Sequence, residues 1–220
     1  MFQVSSAWKA AFPGAHAGVL AMRGVINPSA QAMLKQQKIA LEGQLRTRFV
    51  DKAAIANHPI LQAYNSHYRR FKKTYHVELQ LESIIFKGKS IPSTAALVEA
   101  MFMAEINNLL LTAGHDLDAV RLPITLDISK GGEQYILLRG QEQVLKAGDM
   151  MMSDNEGIIS SIIYGPDQRT QIQALTKNVI FTVYAPPGIG EQTVKDHLQE
   201  LRQNVQLVAS EAQVELLRVF

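Results

Sequence analysis

The feature that most constrains the fold is a change of hydrophobic period at Ala113-Gly114. Before it, apolar residues recur every three or four positions, the spacing of one face of a helix. After it, they fall in short β-branched and aromatic runs separated by Gly-Gly, Asn-Glu-Gly and Gly-Pro-Asp turns. Helices first, strands next and a last helix near the C-terminus make an α+β fold.

In the first half, the turn Phe12-Pro13-Gly14 precedes a short apolar run from Gly18 to Met22 that suits a strand. Asn27-Pro28-Ser29 opens a helix with Leu34, Leu41 and Leu45 on one face and Lys35, Lys38 and Glu42 left for solvent. After His58-Pro59, Leu61, Tyr64, Tyr68 and Phe71 step by four, four and three along a second helix. Val77, Leu81, Ile84 and Ile85 predict a third, although Val77, Leu79 and Leu81 also alternate as in a strand. Ser93-Thr94 reads as the N-cap of a central buried helix running from Leu97 through Met101, Phe102, Glu105 and Ile106 to Leu110.

In the second half the expected strands are 122–128, 135–138, 158–164 and 179–184, then a helix from Glu191 carrying Val194, Leu198, Leu201, Val205 and Val208, then a strand at 214–219. No internal repeat, low-complexity tract or linker interrupts the pattern, so 1–220 is read as a single domain with a helical N-terminal half packed on a mostly antiparallel sheet.

At 220 residues and 47% hydrophobic, such a chain buries roughly 70% of its surface without a disulfide or zinc staple. It has no cysteine, which removes thiol nucleophiles, iron-sulfur clusters and thiolate zinc sites and fits a reducing compartment, with the cytoplasm as the expected location. No stretch approaches the ~20 apolar residues of a membrane span, and Met1 to Trp8 lacks a basic-then-apolar leader, so neither membrane association nor secretion is expected. The net charge is only +2, so a nucleic-acid partner has to be argued from local patches.

The motifs HExxH, GxSxG and the Walker loop are absent. Gly188-Ile189-Gly190 lacks the third glycine of a dinucleotide fingerprint and reads as a turn and helix cap. His67-Tyr68-Arg69-Arg70-Phe71-Lys72-Lys73 is the densest cationic stretch; its aromatics either stack on bases or belong to the core beside a solvated charged face. His115-Asp116-Leu117-Asp118, following the central helix with Glu105 and Asn107 upstream, offers a base, an acid and amide hydrogen bonds, or an ordinary helix-end polar cluster. Its spacing matches no metal signature, so no metal or cofactor is expected. Asp149, Asp154 and Asp167 sit near Gly148, Gly157 and Gly165 in turns.

Taken in order over about residues 55–185, these pieces resemble the B3/B4 module of the phenylalanyl-tRNA synthetase beta subunit and its free-standing relatives. They are Tyr68 to Lys72, Leu97-Val98-Glu99 leading to Asn107, His115-Asp116, Gly148-Asp149 before a strand, Asp154, Gly165 and Thr176. The chain departs from that pattern in the shorter Asn107–His115 spacing, the missing proline before the histidine and the Gly-Pro-Asp turn at Gly165. In the synthetase the module hydrolyses the ester of a wrongly attached tyrosine. The resemblance therefore implies a protein that binds tRNA or aminoacyl-tRNA, and it implies hydrolysis of mischarged tRNA in trans. The alternative is a non-catalytic module for a small amino-acid-like ligand or a protein partner. With no nucleotide-binding core, the chain is not a complete synthetase.

By resemblance the catalytic candidates are His115, Asn107, Asp116, Glu105, Asp167 and Gly165. His115, Asn107 and the Gly165 to Asp167 turn are expected to converge on one cleft between the central helix and the sheet, with His115, partly exposed at a helix-to-strand junction, or a nearby carboxylate as the acid/base. Arg69, Arg70, Lys72, Lys73, Lys87 and Lys89 are the phosphate-binding candidates.

Overall fold

The computed structural model describes residues 1–29 and 31–220. The chain runs β1 (Phe2–Val4), α1 (Ser6–Ala11), β2 (His16–Arg23), α2 (Ala32–Arg48), α3 (Lys52–Ala56), α4 (Pro59–Arg69), α5 (His76–Phe86) and α6 (Ala96–Asn108). It continues through β3 (Thr112–Asp116), β4 (Ile124–Ile128), β5 (Gln134–Ile136), β6 (Glu142–Val144), β7 (Met150–Ser153), β8 (Ile158–Ser161), β9 (Gly165–Pro166), β10 (Asn178–Ala185), α7 (Glu191–Gln206) and β11 (Gln213–Val219). The α+β class expected from the change of period is the one observed.

Two sheets and a hairpin carry the strands. One sheet is ordered β1-β4-β7-β8-β9, the other β11-β2-β10-β3, and β5-β6 form a two-stranded hairpin. Only β1 and β4 pair in parallel; every other pairing is antiparallel. The helices-then-strands order holds less strictly than the sequence suggests, because β1 and β2 come first. β2 is an inner strand of the four-stranded sheet, and its run of buried residues from Ala17 to Met22 reflects cover on both faces.

Helix α7 lies on β2, with Val194, Leu198, Leu201 and Val205 buried as their spacing predicts. A Cβ on Gly18 would stand 2.6 Å from Val194 and 3.2 Å from Leu198, so glycine at this strand position lets the helix approach. Helix α6 packs against α2, α5, α7 and β3 and is buried nearly all round, as its sequence requires. The apolar side chains of both sheets and the helices join in one continuous core.

Several local expectations are corrected. Lys38 and Glu42 are buried, because α2 places them on the same face as Leu34, Leu41 and Leu45, over the segment 91–94. There Lys38 pairs with Glu99 at 3.2 Å and donates to Ser93 at 2.8 Å, while Glu42 accepts the Ile91 amide at 2.8 Å. The cap of α6 is Ala95 rather than Ser93-Thr94; Glu99 reaches back to the Thr94 amide, and Asn27 Oδ1 accepts from Leu97 N. Asn27 thus ties the start of α6 instead of opening α2. Phe71 is buried but lies past the end of α4.

Candidate ligand-binding site

A partly open cavity of about 540 Å³ lies where α5, α6, β3, the β8–β9 turn and the tip of the β5–β6 hairpin meet. Val98, Met101, Phe102, Leu111, Ile162 and Ile172 make its walls apolar. Its polar groups are few: Glu105, Thr112, Ser161, His76, Gln80, Gln171 and Arg139. A small number of polar groups in an apolar cavity of this size is the ordinary make-up of a small-molecule site.

Three tyrosines fix its walls. Tyr64 and Tyr68 face inward from α4; the Tyr64 hydroxyl accepts the Leu111 amide at 2.9 Å and donates to the Tyr184 carbonyl at 2.5 Å, and Tyr68 donates to the Ile162 carbonyl at 2.6 Å. Tyr135 donates to the Gly165 carbonyl at 2.7 Å. Gly165 itself has φ +90°, a left-handed conformation that any side chain would strain, and this turns the chain from β8 into β9 at the cavity rim.

Glu105 is the one carboxyl lining the cavity. It is only 2% exposed, and its Oε2 accepts the Thr112 amide at 2.9 Å. Burial pushes its pKa up to about 8, the amide bond partly opposing the rise. Next to it, Thr112 Oγ1 meets His197 Nε2 at 2.8 Å, a buried imidazole that desolvation lowers to about 4.

Of the six expected catalytic positions, Glu105 and Gly165 line this cavity; the other four do not. His115 is not at a loop but within β3, opposite Ile180 of β10, and is wholly buried. Thr112, Ala113 and Gly114 of the same strand line the cavity and His115 does not; the Cβ direction of Gly114 points at Met101 and Ile172 of the cavity wall, and alternation turns His115 the other way. Its Nδ1 lies 2.7 Å from Thr170 Oγ1, and Thr170 in turn donates to the Asp167 carboxylate. Since the Thr170 proton is committed to Asp167, its oxygen accepts from His115 Nδ1–H, which assigns the neutral Nδ1–H tautomer. His115 Nε2 has no partner, and desolvation lowers the imidazole to about 4.

Asp167 belongs to that buried chain, with Arg169 3.8 Å from its second oxygen, and borders a separate shallow cleft. Asp116 accepts from Thr176 at 2.6 Å and from the Asp118 amide at 3.0 Å, a turn-holding role. Asn107 faces α7, where its Nδ2 donates to both oxygens of Glu200 at 2.9 and 3.0 Å. Four of the six therefore hold elements together at places where the spacing suggested chemistry.

The six phosphate-binding candidates, Arg69, Arg70, Lys72, Lys73, Lys87 and Lys89, are all exposed, and among the described residues none forms an ion pair. The aromatics interleaved with them, Tyr68, Phe71 and Tyr75, are core residues, so base stacking by these rings is excluded. One of the cations, Lys89, borders the site through an adjoining groove, whereas Arg70 lines a separate cleft beside Phe12 and Pro186. Lys72 and Lys73 lie in the turn that leads into α5, Lys73 Nζ is 5.7 Å from the Tyr164 ring, and Lys89 lines an adjoining groove of about 360 Å³ that shares His76, Gln80 and Phe102 with the cavity.

Arg139, Thr112 and Ser161 were missed at the sequence level. Arg139-Gly140 reads only as a hairpin turn, and Thr112 and Ser161 carry no spacing signal; they reach the cavity through strand register. Asp149 was noted as a turn residue, yet it is fully buried and neither oxygen reaches a partner at hydrogen-bond geometry. Burial pushes it up to about 7 despite the Ser161 hydroxyl and the amides of Ile163 and Met150 nearby. Among the described residues no three His, Cys, Asp or Glu side chains are grouped to hold a metal ion, and no helix is long and apolar enough to cross a membrane.

No curated protein matches the chain in sequence. Among solved structures, an N-terminal fragment of the phenylalanyl-tRNA synthetase beta subunit from Pyrococcus horikoshii is similar in fold, with a TM-score of 0.52 at 13% identity over 97% of this chain. The chain covers 50% of that fragment. The sequence model of the B3/4 domain matches residues 62–203, from α4 through most of α7, and so takes in every wall of the cavity. With that match extending over more than half its length, the chain belongs to the B3/4 domain family.

Proposed function

We propose that the protein binds aminoacyl-tRNA in the cytoplasm, the aminoacyl end entering the cavity and the tRNA phosphates resting on the cations around its rim. The observation that carries this reading is the juxtaposition of a 540 Å³ apolar cavity containing one buried carboxyl with unpaired cations on the adjoining turn and groove. An apolar amino acid with a polar linkage suits the first, and a polyanion suits the second. Arg139, exposed at the hairpin tip and lining the cavity, stands between the two.

Hydrolysis of the aminoacyl ester is a second reading, favoured by Glu105. A carboxyl with a pKa of about 8 inside the cavity is close to the value that suits acid/base chemistry near neutral pH. In this reading His115 takes no part, since it is fully buried in β3 and does not line the cavity.

The test is an equilibrium binding and deacylation series with a panel of correctly and wrongly charged tRNAs. Charged tRNA is expected to bind at least ten times more tightly than the same tRNA uncharged, since the cavity is filled only by the acyl group. Equal affinity for the two removes the cavity from the reading. Ester cleavage above the spontaneous rate, lost in Glu105→Gln, supports the hydrolase; cleavage absent across the panel leaves a binding protein.

A further inference from the structure

The cavity has a polarity of its own. At its inner end is Glu105, sealed from bulk water, with one oxygen on the Thr112 amide and no lysine or arginine paired with it among the described residues. At its outer end the Arg139 guanidinium is exposed. The rest of the lining is mostly apolar, with His76, Gln80, Thr112, Ser161 and Gln171 as its uncharged polar groups. Ionising a buried carboxyl without a cation is costly, and a ligand that brings one offsets that cost.

We propose that the cavity is built for a ligand with an ammonium at its inner end, resting on the Glu105 carboxylate, an apolar side chain between, and an anionic group at its outer end on Arg139. This is the chemistry of an apolar α-amino acid, free or joined to a nucleotide, whose carboxylate or phosphate supplies the anion. The inference rests on the cavity being the binding site, and it gives Glu105 a role that excludes its being the base of an ester hydrolase.

The neighbours of Glu105 leave that role open to it. Tyr64, Tyr68 and Tyr75 are held neutral by burial, their own pKa values raised, and His197, beyond Thr112, is kept neutral by desolvation. His76, at the start of α5, lines the cavity from its exposed side. Nothing cationic competes for the carboxyl from inside. In the empty protein at pH 7 Glu105 is mostly protonated, since its pKa is about 8. An arriving ammonium favours the charged carboxylate and displaces that proton.

The experiment is isothermal titration of the full chain with L-phenylalanine, L-leucine and L-tyrosine. Each is tested as the free acid, the amide, the N-acetyl acid and the stable 3′-aminoacylamino analogue of adenosine 5′-monophosphate. Forms with a free ammonium are expected to bind at least ten times more tightly than the N-acetyl acid, and Glu105→Gln, which keeps an acceptor for the Thr112 amide, to abolish that preference. Arg139→Ala, at an exposed position that folding does not need, is expected to abolish the preference for forms carrying an anion over the amide. With a free amino acid, whose ammonium stays charged, titration at pH 7 in buffers of different ionisation heat is expected to show release of about one proton per ligand, absent in Glu105→Gln.

Tighter binding of the nucleotide analogue than of the free acid identifies a phosphate as the anion's source, and the reverse a carboxylate. N-acetyl acids binding as well as the free amines, binding unchanged in Glu105→Gln, or no binding of any form overturns the proposal. Equal cleavage of acetylated and free aminoacyl-tRNA also overturns it, because the ammonium is then not recognised in the cavity. Ammonium-dependent binding of amino acids without any binding of charged tRNA overturns the tRNA reading and leaves this one standing.

Discussion

The proton on His115 Nδ1 is one end of a buried chain that runs through Thr170 to Asp167 and fixes the segment after β9 against β3. The Asp116 amide bonds the Thr170 carbonyl at 2.8 Å, so backbone and side chains hold the same junction. Replacing His115 by Ala empties buried space and strips Thr170 of its donor, two costs that together come to about 2–4 kcal/mol. His115→Ala is therefore expected to lower the urea midpoint by that equivalent while the folded fraction binds charged tRNA as the wild type does; a stable variant that has lost binding would return His115 to the site. A double-mutant cycle with Thr170→Val is expected to show coupling of about 1 kcal/mol. At this scale the sequence was informative about which residues are special and misleading about why. His115 and Asn107 stand out because they are polar residues within apolar stretches. A polar residue in such a stretch is matched by a partner far along the chain, Thr170 in one case and Glu200 in the other, and one-dimensional spacing does not carry that pairing. Glu105 was legible for the opposite reason: a carboxylate on the apolar face of a helix with buried residues on nearly every side has to stand at a cavity or against a partner.

Among the elements, α4 shows how one segment serves two surfaces. Its inward face places Tyr64 and Tyr68 in the core, where Tyr64 stacks on Tyr75 at 4.1 Å between ring centroids, while Arg69, Arg70, Lys72 and Lys73 emerge at its end and in the turn toward α5. The turn needs Lys72 at φ +57°, so the cations are carried on a fixed bend and not on a smooth helix. If they meet phosphates, replacing all four by glutamine lowers affinity for every tRNA alike and reduces the slope of log affinity against log salt by about 0.7 to 0.9 per lost contact, close to 3 for four contacts. An unchanged slope assigns them to solvation alone. Elements with a full period and a clear stop were readable from the sequence, as in α4, α5, α7, β4, β10 and β11. Short elements, β1, α1, α3, β3, β6 and β9, were not, because two to six residues hold less than two turns of periodicity and their shape is imposed by the partner strand or by a cap such as Ser5 or Asp51. β3 is the costly omission, since its register decides that Gly114 faces the cavity and His115 faces away.

Across the whole molecule, burial favours the neutral form of many titratable groups, and three histidines and two carboxyls among them are shifted furthest within the range from pH 4 to 8. His67, His115 and His197 are lowered to about 4 by desolvation, while Glu105 is raised to about 8 and Asp149 to about 7 by the same cause. Between pH 4 and 6.5 the unfolded chain binds protons on the histidines that the native state refuses, so the stability those three contribute is lost as pH falls from about 6.5 to about 4. The carboxyls act in the other direction. The native state keeps their protons up to pH 7 or 8, whereas the unfolded chain releases them near 4, so their share of stability is lost as pH rises through that interval. From about pH 4.5 to 6.5 three histidines outweigh two carboxyls, and stability rises with pH by the equivalent of one group, about 1.4 kcal/mol per unit. Above 6.5 the histidines are neutral in both states and the carboxyls alone remain, so stability falls again until about pH 8. Thermal unfolding is expected to show its highest midpoint near pH 6.5, with several degrees lost by pH 5 and by pH 8. In Glu105→Gln the decline on the alkaline side should largely disappear, because Asp149 has given up most of its proton by about pH 7 and Glu105 alone carries the fall toward pH 8, while the acid side is left steeper. A midpoint still climbing from pH 6.5 to 8 in the wild-type protein would mean that Glu105 and Asp149 are ionised in the fold, and with that the release of a proton expected when a ligand's ammonium meets Glu105 would disappear.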